Sequence, residues 1–157
     1  NNQDKILIKQ ISLEKTCNEA LKQLSGDIIT NNVEVITNFE SIDNIHYSEV
    51  FLKSIFLNLI SNAIKYKSPD RVPVIHISSR KLKNNVTQLT FRDNGLGIDL
   101  EKHYNKIFGF RKTFHNHPDS KGVGLYMTKS QIEALNGTIN ISSKVNKGTT
   151  FTINIAS

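Results

Sequence analysis

Polar and apolar residues change rhythm several times along the chain, and each change marks an element. Lys5 to Gln10 alternates and predicts a short strand, after which Ser12 is placed to cap a helix running to about Leu24. Val33 to Phe39 alternates again and predicts a second strand. From Ser48 to Tyr66 the period becomes helical, with Leu52, Phe56, Leu59, Ile60 and Ala63 on one face. Pro69 and Pro73 close that helix with a loop. Val74 to Lys81 and Val86 to Asp93 are separated by Leu82-Lys83-Asn84-Asn85 and read as a hairpin. Gly95 to Lys121 is mostly irregular apart from a short helix around Glu101 to Ile107. A helix over Gly122 to Leu135 and strands at Thr138 to Ser143 and Thr149 to Ile155 complete the chain. Mixed helices and strands ending in antiparallel pairs predict a two-layer α/β (α+β) sandwich. About three helices would cover one face of a mixed, mostly antiparallel sheet.

Length and composition agree with one domain spanning residues 1–157. At 157 residues, 38% hydrophobic and 22% charged, the chain is long enough for a core and too apolar for disorder. No apolar run approaches the roughly eighteen residues of a membrane span, so no membrane contact is expected. The chain opens on Asn1 and is expected to be a piece of something longer. Cys17 is the only cysteine, which excludes an internal disulfide and a zinc site built on thiolates, and fits a reducing, cytoplasmic setting. A net charge of +6 could suggest nucleic acid, but the Lys and Arg residues are scattered and Trp is absent. No nucleic-acid partner is expected, whereas a mild positive field suits a smaller polyanion such as a nucleotide.

The chemistry-bearing motifs are unusual ones. There is no G-x-x-x-x-G-K-[ST] loop, no G-x-G-x-x-G after a strand and no His-Arg-Asp catalytic loop. Instead, Asn58 and Asn62 share a helix face with Lys65, off the centre of the apolar stripe. Two carboxamides and an amine so aligned could hold a metal-bound polyphosphate, or could simply be a solvated helix face. Asp93-Asn94-Gly95-Leu96-Gly97-Ile98-Asp99 follows a strand directly. It reads either as a carboxylate facing a gap or as an ordinary turn, with Asp99 a helix N-cap. Lys121-Gly122-Val123-Gly124-Leu125 opens a helix whose free N–H groups can receive an anion. Gly148-Thr149-Thr150-Phe151 turns into the last strand. Seven of the eight glycines lie from Gly95 onward, which points to the second half as the ligand side. His115 and His117, two apart in an irregular stretch, read as solvated histidines and not a metal pair.

Order and spacing make these motifs specific. Asn58/Asn62, Asp93-x-Gly95-x-Gly97, Ile107-Phe108-Gly109-Phe110, Gly122-x-Gly124-Leu125 and Gly148-Thr149-Thr150-Phe151 resemble the N, G1, F, G2 and G3 boxes of histidine-kinase catalytic domains. That family lies within the wider gyrase, chaperone and mismatch-repair ATPase superfamily. Asn58-Leu-Ile-Ser-Asn62-Ala-Ile-Lys65-Tyr66 is closest to the kinase form of the N box, and the resemblance runs from about Ile6 to Ile155.

The resemblance implies a Bergerat-type ATP-binding fold, with ATP and Mg²⁺ as cofactors. It implies that Asp93 accepts the adenine amino hydrogen, that Asn62 coordinates Mg²⁺ with Asn58 nearby, and that Lys65 meets phosphate while Tyr66 lines the nucleotide. Gly95 and Gly97 would let backbone lie against the base, and the N–H groups at Gly122 and Gly124 would cradle phosphates. Ile98, Phe108, Val123, Leu125 and Thr150 would complete the nucleotide site. Residues from about Glu101 to Lys121 would form a lid, with Arg111, Lys112 and above all Lys121 neutralising charge. Phe108, Phe110 and Phe114 read as hydrophobic pins of that lid more than as base stackers.

By the same resemblance, gyrase-like and chaperone-like members carry a general-base Glu four residues before the metal-binding Asn. Here that position is Asn58, which disfavours hydrolysis and leaves transfer to a histidine on a separate dimerisation domain. None of His46, His76, His103, His115 or His117 has the acceptor's acidic and Pro neighbours. The acceptor helices are therefore expected outside this chain, and a response regulator further downstream. The alternative is a nucleotide-binding regulatory module, or an ATPase of the same superfamily, without histidine transfer.

Overall fold

The computed structural model describes residues 6–109 and 124–156. The chain opens with β1 (Ile8–Ser12) and α1 (Leu13–Gln23), followed by α2 (Ser25–Thr30), β2 (Glu34–Asn38) and β3 (Asn44–Ser48). Then come the long α3 (Glu49–Lys65), β4 (Val74–Lys81) and β5 (Val86–Asp93). After α4 (Leu100–His103) and a 3₁₀ turn (Tyr104–Lys106), α5 (Gly124–Ala134), β6 (Thr138–Lys144) and β7 (Gly148–Ala156) complete it.

Five strands form the main sheet in the order β2-β4-β5-β7-β6, with β2 parallel to β4 and the other neighbours antiparallel. Strict alternation sets the two faces. Ile75, Ile77, Leu89, Phe91, Phe151, Ile153 and Ile155 are buried, while His76, Ser78, Thr90, Thr152 and Asn154 between them are not. α1, α3 and α5 supply the other half of the core through Leu13, Cys17, Leu52, Phe56, Ile60, Leu125 and Ile132. The rings of Phe56 on α3 and Phe91 on β5 lie 5.6 Å apart, joining the layers at their centre. The expected sandwich, with a mixed and mostly antiparallel sheet, is the fold observed.

Local signals set the ends of the elements, two of them, the Ser12 and Asp99 caps, as expected. The Ser12 and Ser48 hydroxyls accept the N–H groups of Lys15 and Phe51 and cap α1 and α3, and Asp99 caps α4 through the Glu101 N–H. Asn84 and Asn85 both adopt positive φ (61° and 58°), the conformation that a two-residue turn between right-twisted strands requires.

Three differences have physical causes. β3 was not expected, because Ile45 and Tyr47 give only two apolar positions before a helix cap; pairing Ile11 with Ile45 buries both and carries β1 on to Ser12. α2 has no fully buried residue and so left no apolar period to read. The expected helix at Glu101 to Ile107 is four α-helical residues and a 3₁₀ turn, since only Ile107 in that stretch is buried. The first part of the expected helix at Gly122 to Leu135 lies outside the described residues, which show it from Gly124.

Candidate functional site

Four segments converge beside the C-terminal half of α3. The first contact joins α3 to the start of α5. Thr128 is buried, and its hydroxyl donates its one proton to the Gly124 carbonyl at 2.8 Å. It can therefore only accept from Asn58, whose Nδ2 lies 3.3 Å from it and 3.4 Å from Ser54 Oγ. With the amide nitrogen so engaged, the Asn58 oxygen is the atom turned away, and a carboxamide oxygen is a suitable ligand for a hard cation. Asn62, one turn on, is half-buried and makes no side-chain hydrogen bond among the described residues. Lys65, also half-buried, lies in the last turn and Tyr66 caps it. α5 is described from Gly124, and the N–H groups that open a helix have no partner within it, which suits an anion.

The second contact joins α3 to the turn after β5. The Tyr66 carbonyl accepts the Leu96 N–H at 2.9 Å. A Cβ on Gly95 would lie 2.6 Å from that same oxygen. Gly97 has φ +74°, and a Cβ there would lie 2.0 Å from the Lys144 carbonyl oxygen. What occupies the space beside both glycines is thus the protein's own backbone, so their first effect is to let this turn nest between α3 and the β6–β7 turn. Asn146 N–H donates to the Leu96 carbonyl at 2.7 Å and completes that nest.

Asp93 ends β5 on the helix-covered face, opposite Thr149 of β7. Gly95 N–H donates to its Oδ1 at 2.8 Å. Burial pushes the carboxyl up to about 6, against the lowering effect of the Gly95 and Thr149 backbone N–H groups and of the Arg71 charge. A raised carboxylate pKa means the charged form is disfavoured in the folded chain. The resulting cost is complete above about pH 6 and fades as pH falls towards the ordinary 3.8. Asp93→Asn should therefore melt at least as high as the unaltered chain at pH 7, and any advantage should disappear by about pH 4. Melting curves at both pH values check this; a pH-independent gap contradicts it.

Other expected site residues fall less simply. Ile98 and Leu125 belong to the buried core and support the site from beneath, with the Ile98 N–H donating to Ser143 Oγ at 2.8 Å. Phe108 is half-buried, stacked edge-on to Phe151 at 6.4 Å with Lys129 Nζ 5.1 Å from its ring centre. That matches a pin better than a base-stacking ring. Thr150 is corrected: it pairs with Arg92 on the open face of the sheet, away from Asp93. Thr149 holds the position facing the site, buried and within 2.7 Å of Ser143 Oγ. Phe110, Arg111, Lys112, Phe114, His115, His117, Lys121, Gly122 and Val123 lie outside the described residues. Among the described residues, no group of three or more His, Cys, Asp or Glu could hold a metal ion.

Two residues with clear work here escaped the sequence reading. Arg71 donates to the carbonyls of Asn94, Gly95 and Asn146. The Asn94 side chain bridges back to the Val72 carbonyl and the Val74 N–H, at 2.9 Å each. The only available signal was an Arg and an Asn bordering a loop and a turn.

Residues 47–157 match the model of the family of histidine kinase-, DNA gyrase B-, and HSP90-like ATPases. The chain belongs to that family. It is similar to cyanobacterial phytochrome A of Nostoc sp., at 30% identity over 93% of this chain and 19% of that protein. The heme sensor protein HssS of Staphylococcus saprophyticus is 34% identical over 76% of this chain and 25% of its own length. The chain thus spans a quarter or less of these relatives. Among solved structures, the catalytic domain of histidine kinase ThkA superposes with a TM-score of 0.79 at 21% identity, covering 96% of this chain and 95% of that one. Full-length ShkA in complex with AMPPNP gives 0.83 at 16% identity, covering 97% of this chain and 31% of that one. Both share the fold.

Proposed function

We propose that this chain is the ATP-binding catalytic domain of a sensor histidine kinase, one domain over residues 1–157. It passes the γ-phosphoryl group of ATP to a histidine on a dimerisation domain, which in turn supplies a response regulator. The observation that carries this reading is the junction of α3 and α5: Asn58 is tied through Thr128 to the first turn of α5, with Asn62 one turn away. A helix start suited to phosphate and the Asn58 carboxamide are thereby joined by one hydrogen-bonded chain, and the Asn62 carboxamide lies one helical turn on. Two further relatives, the methanogenesis regulatory histidine kinase FilI of Methanothrix harundinacea and the signal transduction histidine-protein kinase BarA of Escherichia coli, point the same way by name.

In this reading Asp93 accepts the amino group of adenine and repels the carbonyl oxygen that guanine carries at the same ring position. The N–H groups at the start of α5 receive the phosphates, and Lys65 adds positive charge. Asn62, with Asn58 beside it, would hold Mg²⁺ through amide oxygen. When bound, the ion neutralises charge on the phosphate oxygens. An amide at position 58 takes no proton at neutral pH, so the site positions the phosphoryl group and does not activate water. No helix among the described residues is long and apolar enough to cross a membrane, and a cytoplasmic setting fits the nucleotide.

Calorimetric titration tests the nucleotide assignment. The chain should bind Mg·ATP more tightly than Mg·GTP, and Asp93→Asn should lose most of that preference. Equal affinities unaffected by the substitution would remove Asp93 from the role.

A further inference from the structure

The turn that carries Asp93 is gripped from behind by one side chain. Arg71, in the loop between α3 and β4, places Nε 2.6 Å from the Asn94 carbonyl oxygen and Nη2 2.8 Å from that of Gly95. Nη2 also lies 2.8 Å from the Asn146 carbonyl oxygen, in the turn between β6 and β7. A guanidinium has a rigid planar fork of donors and keeps its charge, so it can hold several carbonyls in one geometry where an ammonium cannot.

The consequence lies on the other side of the same peptides. In a trans peptide the C=O and N–H point in opposite directions. The Asn94–Gly95 peptide gives its oxygen to Arg71 and its N–H to Asp93 Oδ1, at 2.8 Å. The Gly95–Leu96 peptide gives its oxygen to Arg71 and its N–H to the Tyr66 carbonyl, at 2.9 Å. Two successive peptide planes are thus held between a cation and an acceptor, and hydrogen bonds in such series polarise one another.

We propose that Arg71 is a positioning and specificity-determining residue for nucleotide binding. It acts through the Asn94–Gly95 peptide to fix the orientation of the Asp93 carboxylate. This rests on the adenine role of Asp93 given above. The Gly95 N–H engages Oδ1 and the Thr149 N–H also acts on the carboxylate, so the direction that the carboxylate presents to the base depends on the peptide that Arg71 holds. The Arg71 charge also favours the ionised form of this carboxyl.

The test uses the unaltered chain, Arg71→Lys and Arg71→Gln, each titrated calorimetrically with Mg·ATP and Mg·GTP. Amide NMR of Gly95 and Leu96 is recorded without nucleotide. Arg71→Gln should lose roughly tenfold in ATP affinity, as for loss of a charged hydrogen-bond partner, with little change for GTP. The Gly95 and Leu96 amide signals should move with it, and Arg71→Lys should recover part of the ATP preference. If the unaltered chain prefers ATP and Arg71→Gln keeps the same preference, Arg71 has no such role and the adenine reading stands. ATP and GTP affinities falling together in both variants also overturns it, showing general support of the fold. If the unaltered chain shows no preference, the adenine reading falls and the selectivity role with it.

Discussion

Asn62→Ala is expected to cut phosphoryl transfer by roughly a hundredfold or more while the melting temperature barely moves. The side chain is half-buried, off the face that packs on the sheet, and free of side-chain hydrogen bonds among the described residues. Substitutions in such positions usually change stability by no more than about 0.5 kcal/mol, and Ala is the better helix former. In the proposed site the substitution would remove an oxygen donor from beside the phosphates, and even indirect support of a metal is typically worth about ten- to a hundredfold. Radiolabel transfer and a thermal melt on the same sample separate the two effects. Full transfer by Asn62→Ala would leave the Asn stripe a solvated helix face.

The second large effect joins the fold to the site. Gly148 has φ +133°, and a Cβ there would sit 2.0 Å from the Asp93 carbonyl oxygen and 2.9 Å from Asn94 Cα. Gly148→Ala must strain its own backbone and push β5 away at the residue that carries the carboxylate. Strain and overpacking together cost roughly 3–5 kcal/mol, which in a domain of this size lowers the melting temperature by about 10 °C. Gly26→Ala is the control: nothing lies within 4 Å of its Cβ position, and Ala favours a helix. It should melt at or slightly above the unaltered chain. Equal melting temperatures for the two variants would show that the β6–β7 turn yields without cost.

How far the site could be read from the chain depended on the range of each interaction. The α3 stripe was legible because Asn58, Asn62 and Lys65 lie within two helical turns, where sequence spacing determines direction. The Asn84-Asn85 turn was legible for a similar reason, since positive φ at both positions is a local demand. Arg71 was not, because its three acceptors lie 23, 24 and 75 residues away. No local pattern marks an arginine whose partners are backbone carbonyls. The choice of Thr150 over Thr149 is different. Phe151, Ile153 and Ile155 are all turned inward, and the same alternation carried back two residues reaches Thr149. That phase was present in the chain and outweighed by the motif. The two glycines of the Asp93 turn were recognised, but the backbone they accommodate comes from Tyr66 and Lys144, which only the folded topology brings near.

The proposed chemistry is transfer to a histidine supplied by another domain. The most direct measurement incubates this chain with labelled ATP, Mg²⁺ and the helical acceptor domain of its parent protein, and then tests the label for stability in acid. Acid-labile label should appear on the acceptor only when both components are present. Without the acceptor the chain should bind ATP yet release little phosphate, since Asn58 cannot serve as a general base. Rapid phosphate release without the acceptor, or acid-stable label on Ser, Thr or Tyr, would contradict it.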